Sequence, residues 1–283
     1  MEHVLACIDA SVYSDSVCDL SAWAAHKLDI PIELLHVVQR HEAVSERHDL
    51  SGAIGLGAKS VLLEELTKLE EADSRLQVER GRALLAVATE RLKAAGITRI
   101  DPLHRHGGII ETILEREEGA RVVIIGKRGA DHAFAADHIG SMVERVVRAS
   151  TKPVLIASRH YNEPQSVVLA YDGSKHADHA LERLRLSALF TGMPVHIVMA
   201  GSIDGKHRAM LDKAAARLDG SVAVTTTLQQ GKPEKLISDV VAATPGALLV
   251  MGAYGHSPFR TLIVGSTTTA MIRTVHAPVL LVR

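Results

Sequence analysis

Short aliphatic runs recur along the chain, separated by segments of helical period. In the first half the runs fall near 3–9, 32–38, 100–106, 121–126 and 153–158. In the second they fall near 166–172, 194–200, 222–228, 247–252 and 278–283. They show little alternation between apolar and polar positions, as expected of strands covered on both faces. The intervening segments predict helices near 14–28, 60–95, 108–118 and 140–150, then near 175–190, 206–219, 233–243 and 265–276. Ser14, Ser174 and the serines of two glycine loops mark helix starts. Five βα units per half, joined by right-handed crossovers, give an α/β fold of two doubly wound five-stranded parallel sheets.

The halves repeat one order of parts. Asp9 closes the first apolar run and Asp172 closes its counterpart, 163 positions later. Val122 to Ile125 leads into Gly126-Lys127-Arg128-Gly129 and then Gly140-Ser141. Ala247 to Met251 leads into Gly252-Ala253-Tyr254-Gly255 and then Gly265-Ser266-Thr267. Extra residues of the first half fall between His41 and Arg82. Proline opens an apolar run at Pro31, Pro153, Pro194 and Pro278. A repeat of this length is a duplicated domain, not a solenoid. The reading gives domains at 1–160, with an inserted loop and long helix near 41–95, and at 161–283.

Each strand, glycine loop and helix start is an anion-binding arrangement. Unpaired N–H groups and the positive end of the helix dipole face the loop, and glycine lets backbone close on a phosphate. Ser266 and Thr267 add hydroxyl donors. In doubly wound sheets ligands sit beyond the carboxyl ends of the strands, at the switch point of strand order. Asp9, Asp172 and both loops fall at carboxyl ends, so they converge on one crevice per half.

Composition narrows the partners. The chain has 283 residues, 47% hydrophobic, with a net charge of −1 and a pI near 7.0. That suits two aliphatic α/β cores, and a nucleic-acid binder would be more basic. The two cysteines, Cys7 and Cys18, build no disulfide framework. Met1-Glu2-His3 runs into a strand with no basic n-region, and no apolar stretch is long enough for a membrane span. A cytoplasmic protein is the expectation.

The pattern G-x-x-G, nine residues, G-[ST] after a fourth strand, with an aspartate closing the first strand, resembles the universal stress protein family, as a tandem two-domain member. The resemblance implies a Rossmann-like or flavodoxin-like fold of the adenine nucleotide alpha-hydrolase kind. It implies ATP, ADP or AMP, with Mg²⁺, held by Met251, Gly252, Gly255, Gly265, Ser266 and Thr267. It implies Asp172 near the ribose, the phosphates or the metal, and an adenine pocket partly made by Ala200. The matching positions of the first half are Asp9, Val37, Gly126, Gly129, Gly140 and Ser141. Members of the family pair their last strands across a two-fold axis. The resemblance therefore implies that residues 153–157 and 278–282 meet within one chain, as an intramolecular pseudo-dimer.

The first half departs from the pattern. Ten residues separate Gly129 from Gly140, and Asp131 and Asp137 add negative charge, while Lys127 and Arg128 offer compensation. A weaker or different ligand is expected there. Other segments carry less. Gly55-Leu56-Gly57-Ala58-Lys59-Ser60 reads as a loop, and no G-x-x-x-x-G-K-[ST] is present. His176 and His179 read as surface histidines, with a shared metal as the alternative; His104 and His106, on one strand face, read as structural, with lining of the first crevice as the alternative. Tyr254 is read equally as a cover for a ligand and as a surface aromatic. Leu62, Leu63, Leu66 and Leu69 read as a stripe packed by an amphipathic helix, with a partner-binding helix as the alternative.

A stress-response or regulatory ATP-binding module fits these features best. A slow ATP hydrolase or adenylating enzyme, and a nucleotide-free scaffold, are the alternatives. A homodimer and further protein partners are compatible with the sequence, which places no catalytic base beside the loops.

Overall fold

A computed structural model describes residues 2–38, 56–129, 141–218, 220, 222–252 and 266–283. The first half comprises β1 (His3–Cys7), α1 (Ser14–Leu28), β2 (Ile32–Val38), α2 (Leu56–Ala94), β3 (Ile100–His106), α3 (Ile109–Arg116), β4 (Ala120–Gly126), α4 (Ser141–Ala149) and β5 (Val154–Ala157). The second comprises β6 (Ser166–Ala170), α5 (Lys175–Leu186), β7 (Val195–Ala200), α6 (Gly205–Ala216), β8 (Val224–Gln229), α7 (Pro233–Ala243), β9 (Ala247–Gly252), α8 (Ser266–Thr274) and β10 (Val279–Val282). The alternation expected from the apolar runs is present throughout.

All ten strands form one sheet in the order β3-β2-β1-β4-β5-β10-β9-β6-β7-β8. Within each half the pairing is parallel. Among the described residues only the central pair is antiparallel, with Val279 opposite Ile156, Leu280 opposite Leu155 and Leu281 opposite Val154. The last strands of the halves thus meet as the resemblance implied, and an apolar edge that would attract another chain is satisfied internally.

The period-2 geometry of each strand sends neighbours to opposite faces. One face carries Val4, Ala6, Ile124, Leu155, Leu280, Val250 and Leu169 against α1, α2, α5 and α6. The other carries Leu5, Val123, Ile156, Leu281, Leu249 and Val168 against α3, α4, α7 and α8. Both apolar layers run without interruption through the seam, so the halves share their core.

Several boundaries differ from the sequence reading. Helix α2 starts at Leu56, so Leu56 to Ser60 are helical, and Gly55 lies outside the described residues. At ~1.5 Å per residue its 39 residues extend ~58 Å. Its packing on the body comes from Leu85, Ala88 and Leu92, whereas Leu69 and Leu76 are exposed, so the expected packed stripe is not formed at Leu69. Helix α5 stops at Leu186 because Ser187 turns extended and caps a separate 3-10 turn, Ala188–Phe190. Ser14 opens α1 but is not its cap; Tyr13 holds that position without a side-chain bond. Ser174 is a true cap, accepting from the Ala177 N–H at 3.2 Å.

Candidate functional site

Strand order reverses between β1 and β4 in the first half and between β6 and β9 in the second. Ligands of such sheets sit beyond the carboxyl ends at these reversals, and the duplicated aspartates follow β1 and β6 there. Asp9 Oδ1 accepts from the Ser11 N–H at 3.0 Å, and Asp172 Oδ1 accepts from the Ser174 N–H at 2.9 Å. Each aspartate uses one oxygen to turn the chain from strand into helix. Asp172 is exposed and Asp9 half-buried.

The glycines that end β4 and β9 are required by close approach of backbones. A Cβ on Gly252 would lie 2.4 Å from the His176 carbonyl carbon and 2.7 Å from the Ala177 nitrogen. A Cβ on Gly126 would lie 2.7 Å from Tyr13 Cβ, the matching position of the repeat. These glycines seat the first turn of α5 or α1 against the strand end, beside the aspartate turn. Gly129 closes on Asp9, its Cβ position being 3.2 Å from Oδ2.

Ala200 ends β7 and Val37 is the penultimate residue of β2, both half-buried on the face that packs α3, α4, α7 and α8. Met251 is different. It is 5% exposed and its side chain belongs to the core. Thr267 stands in the first turn of α8, but its Oγ1 donates to Glu234 Oε1 at 3.1 Å, from the first turn of α7. Ser141 and Ser266 open α4 and α8. Gly140, Tyr254, Gly255, Gly265, Asp131 and Asp137 lie outside the described residues.

Lys127 does not serve its own loop. It is buried, and its Nζ donates to the Val275 carbonyl of the other half at 2.8 Å. Burial, and secondarily Arg128, lower its pKa to about 8. The contact escaped the sequence reading because it joins residues far apart in the chain, across the seam.

His104 and His106 meet on one strand face as expected, and His36 joins them. His36 stacks on His104 at 5.5 Å, and His104 meets His106 at 5.1 Å. Gly81 of α2 lies over them, where a Cβ would be 2.5 Å from His104 Nε2. Burial, then His36, His106 and Arg82, hold His104 below the usual histidine range. His36 donates from Nδ1 to the Ile8 carbonyl at 2.9 Å, tying β2 to the Asp9 turn. A glycine inside the helical pattern of α2 was the available signal for this packing. His176 and His179 meet edge to face at 6.3 Å. Among the described residues no group of three His, Cys, Asp or Glu is arranged to hold a metal. Burial raises the Cys7 and Cys18 thiols, as for inert core cysteines.

Among the described residues no helix is long and apolar enough to cross a membrane. A structure of a universal stress protein from Archaeoglobus fulgidus has the same fold, with a TM-score of 0.72 at 24% identity over 99% of this chain and 98% of that one. Universal stress protein Slr1230 of Synechocystis sp. is 33% identical over 293 residues, spanning 100% of both chains. A universal stress protein of Mycolicibacterium smegmatis is 22% identical over 99% of this chain and 96% of its own length. The model of the universal stress protein family matches residues 1–158 and again 164–283. Two matched segments in tandem, carrying duplicated aspartate turns on one continuous sheet, identify the chain as belonging to the universal stress protein family.

Proposed function

We propose that the protein is a regulatory module that binds an adenine nucleotide, with ATP seated in the second half. One observation carries the reading. The exposed Asp172 turn and the Gly252 backbone stand together at the switch point, immediately ahead of the G-x-x-G, nine residues, G-S-T pattern. The residues suit the ligand. Helix α8 offers first-turn N–H groups to phosphate. Asp172 has one oxygen in its turn, which leaves the other for a ribose hydroxyl or for Mg²⁺. Ala200 adds little bulk at the strand end where the family resemblance puts the base. Bound Mg²⁺ would supply charge neutralisation for the phosphates.

The first half is the weaker site in this reading. Its loop lysine is committed across the seam, and Asp131 and Asp137 oppose a triphosphate. Calorimetry with MgATP should find one tight site per chain, lost in Gly265→Val while the circular dichroism spectrum is kept. Equal affinity in wild type and Gly265→Val would overturn the site, and two equivalent tight sites would overturn the asymmetry.

A further inference from the structure

Among the described residues, two α-helix ends are closed by the opposite half. Helix α8 ends at Thr274, and the next carbonyl, that of Val275, accepts from Lys127 Nζ at 2.8 Å. Helix α4 ends at Ala149, and the next carbonyl, that of Ser150, accepts from Arg283 Nη1 at 2.8 Å. Val275 and Ser150 are matching positions of the repeat. Each still donates its own N–H into its helix, to Met271 and Val146, so each carbonyl is the open end of a ladder. Such carbonyls carry the negative end of the helix dipole, and a cation there is favourable. The two cations are not matching positions. Lys127 lies in the loop after β4, and Arg283 follows β10.

We infer that Lys127 and Arg283 are reciprocal positioning residues. Each half anchors the far end of the helix whose first turn lies at the other half's glycine loop. A nine-residue helix is a rod of ~14 Å, so fixing its last carbonyl fixes where its first N–H groups point. Lys127 does more, because its own backbone belongs to the Gly126 to Gly129 loop. The loop of the first half is thereby tied through one side chain to α8 of the second. The consequence for ligand affinity rests on the nucleotide reading above; the anchoring does not.

Hydrogen exchange read by mass spectrometry tests the anchoring on the full chain without nucleotide. Lys127→Met should speed exchange over residues 268–275 by about three- to tenfold and leave 142–150 unchanged. Arg283→Met should do the reverse, and Lys127→Arg should restore protection of α8. MgATP titration of Lys127→Met should show affinity reduced by a similar factor at the second half. Unchanged exchange of α8 in Lys127→Met, or equal loosening of both helices, overturns the inference. Selective loosening of α8 in a protein whose wild type binds no ATP supports the anchoring and removes the nucleotide reading alone.

Discussion

At the scale of single residues, the two halves share one steric demand. Gly252 and Gly126 occupy one position of the pattern, and both exist because a strand end meets a helix start without room for a methyl group. Backbone atoms cannot swing aside, so Gly252→Ala should lose about 1–3 kcal/mol or more in urea unfolding. Gly129→Ala meets only the end of the Asp9 side chain at 3.2 Å and should lose clearly less; a larger loss there would overturn this account. Glu234 makes a second residue-scale prediction. Its carboxylate holds the Thr267 hydroxyl, placing negative charge at the first turn of α8. Glu234→Gln should bind MgATP severalfold more tightly, and the gain should shrink with added salt. Weaker binding would mean that Glu234 assists the ligand. The aspartates and glycines could be read from the sequence because local chain geometry demands them. The bond of Thr267 to Glu234 could not, since it depends on how α7 and α8 lie side by side.

Among elements, β2, β3 and α2 make the clearest case for a pH response. His36, His104 and His106 stack at the carboxyl ends of the two strands, and Arg82 approaches from α2. His104 is held below its ordinary pKa, so the fold favours its neutral form. That contribution is present above the unfolded value of ~6.5 and is lost as pH falls through the lower folded value. Wild type should therefore lose more stability between pH 7.5 and pH 5 than His104→Gln, measured by urea midpoints at both pH values. Equal losses would show that His104 is not responsible. Most elements were legible from periodicity, because a sheet covered on both faces needs uninterrupted aliphatic strands. The end of α5 was not, since the segment beyond Leu186 keeps an apolar pattern while Ser187 breaks the backbone. The exposure of Leu69 was equally hidden: a leucine stripe predicts that a face wants cover, not where the body ends.

For the whole molecule, the seam decides the behaviour. Leu155 and Leu280 are buried to 0% and 1% exposure, and they belong to one apolar layer shared by both halves. The chain should unfold as one unit. Trp23, the sole tryptophan, reports on the first half, while circular dichroism reports on all eight helices of the described residues. Their urea transitions should coincide, and separated midpoints would refute a shared core. Residues 1–160 and 161–283 expressed separately should each self-associate through the uncovered β5 or β10 edge; monomeric halves would count against the seam. The meeting of the last strands was legible through the family pattern, but the crossed Lys127 and Arg283 contacts had no sequence signature.

Joining both halves in one chain has a further effect on that seam. In a true two-fold dimer every residue on the axis meets its own image, so a substitution changes both sides at once. Here Val154-Leu-Ile-Ala157 faces Val279-Leu-Leu-Val282, two strands encoded separately. One side can change while the other stays fixed. A lysine can then close one helix and an arginine the other, from unrelated places in the fold. Covalent linkage has released the interface from self-complementarity, and the two halves are free to diverge without dissolving the sheet that joins them.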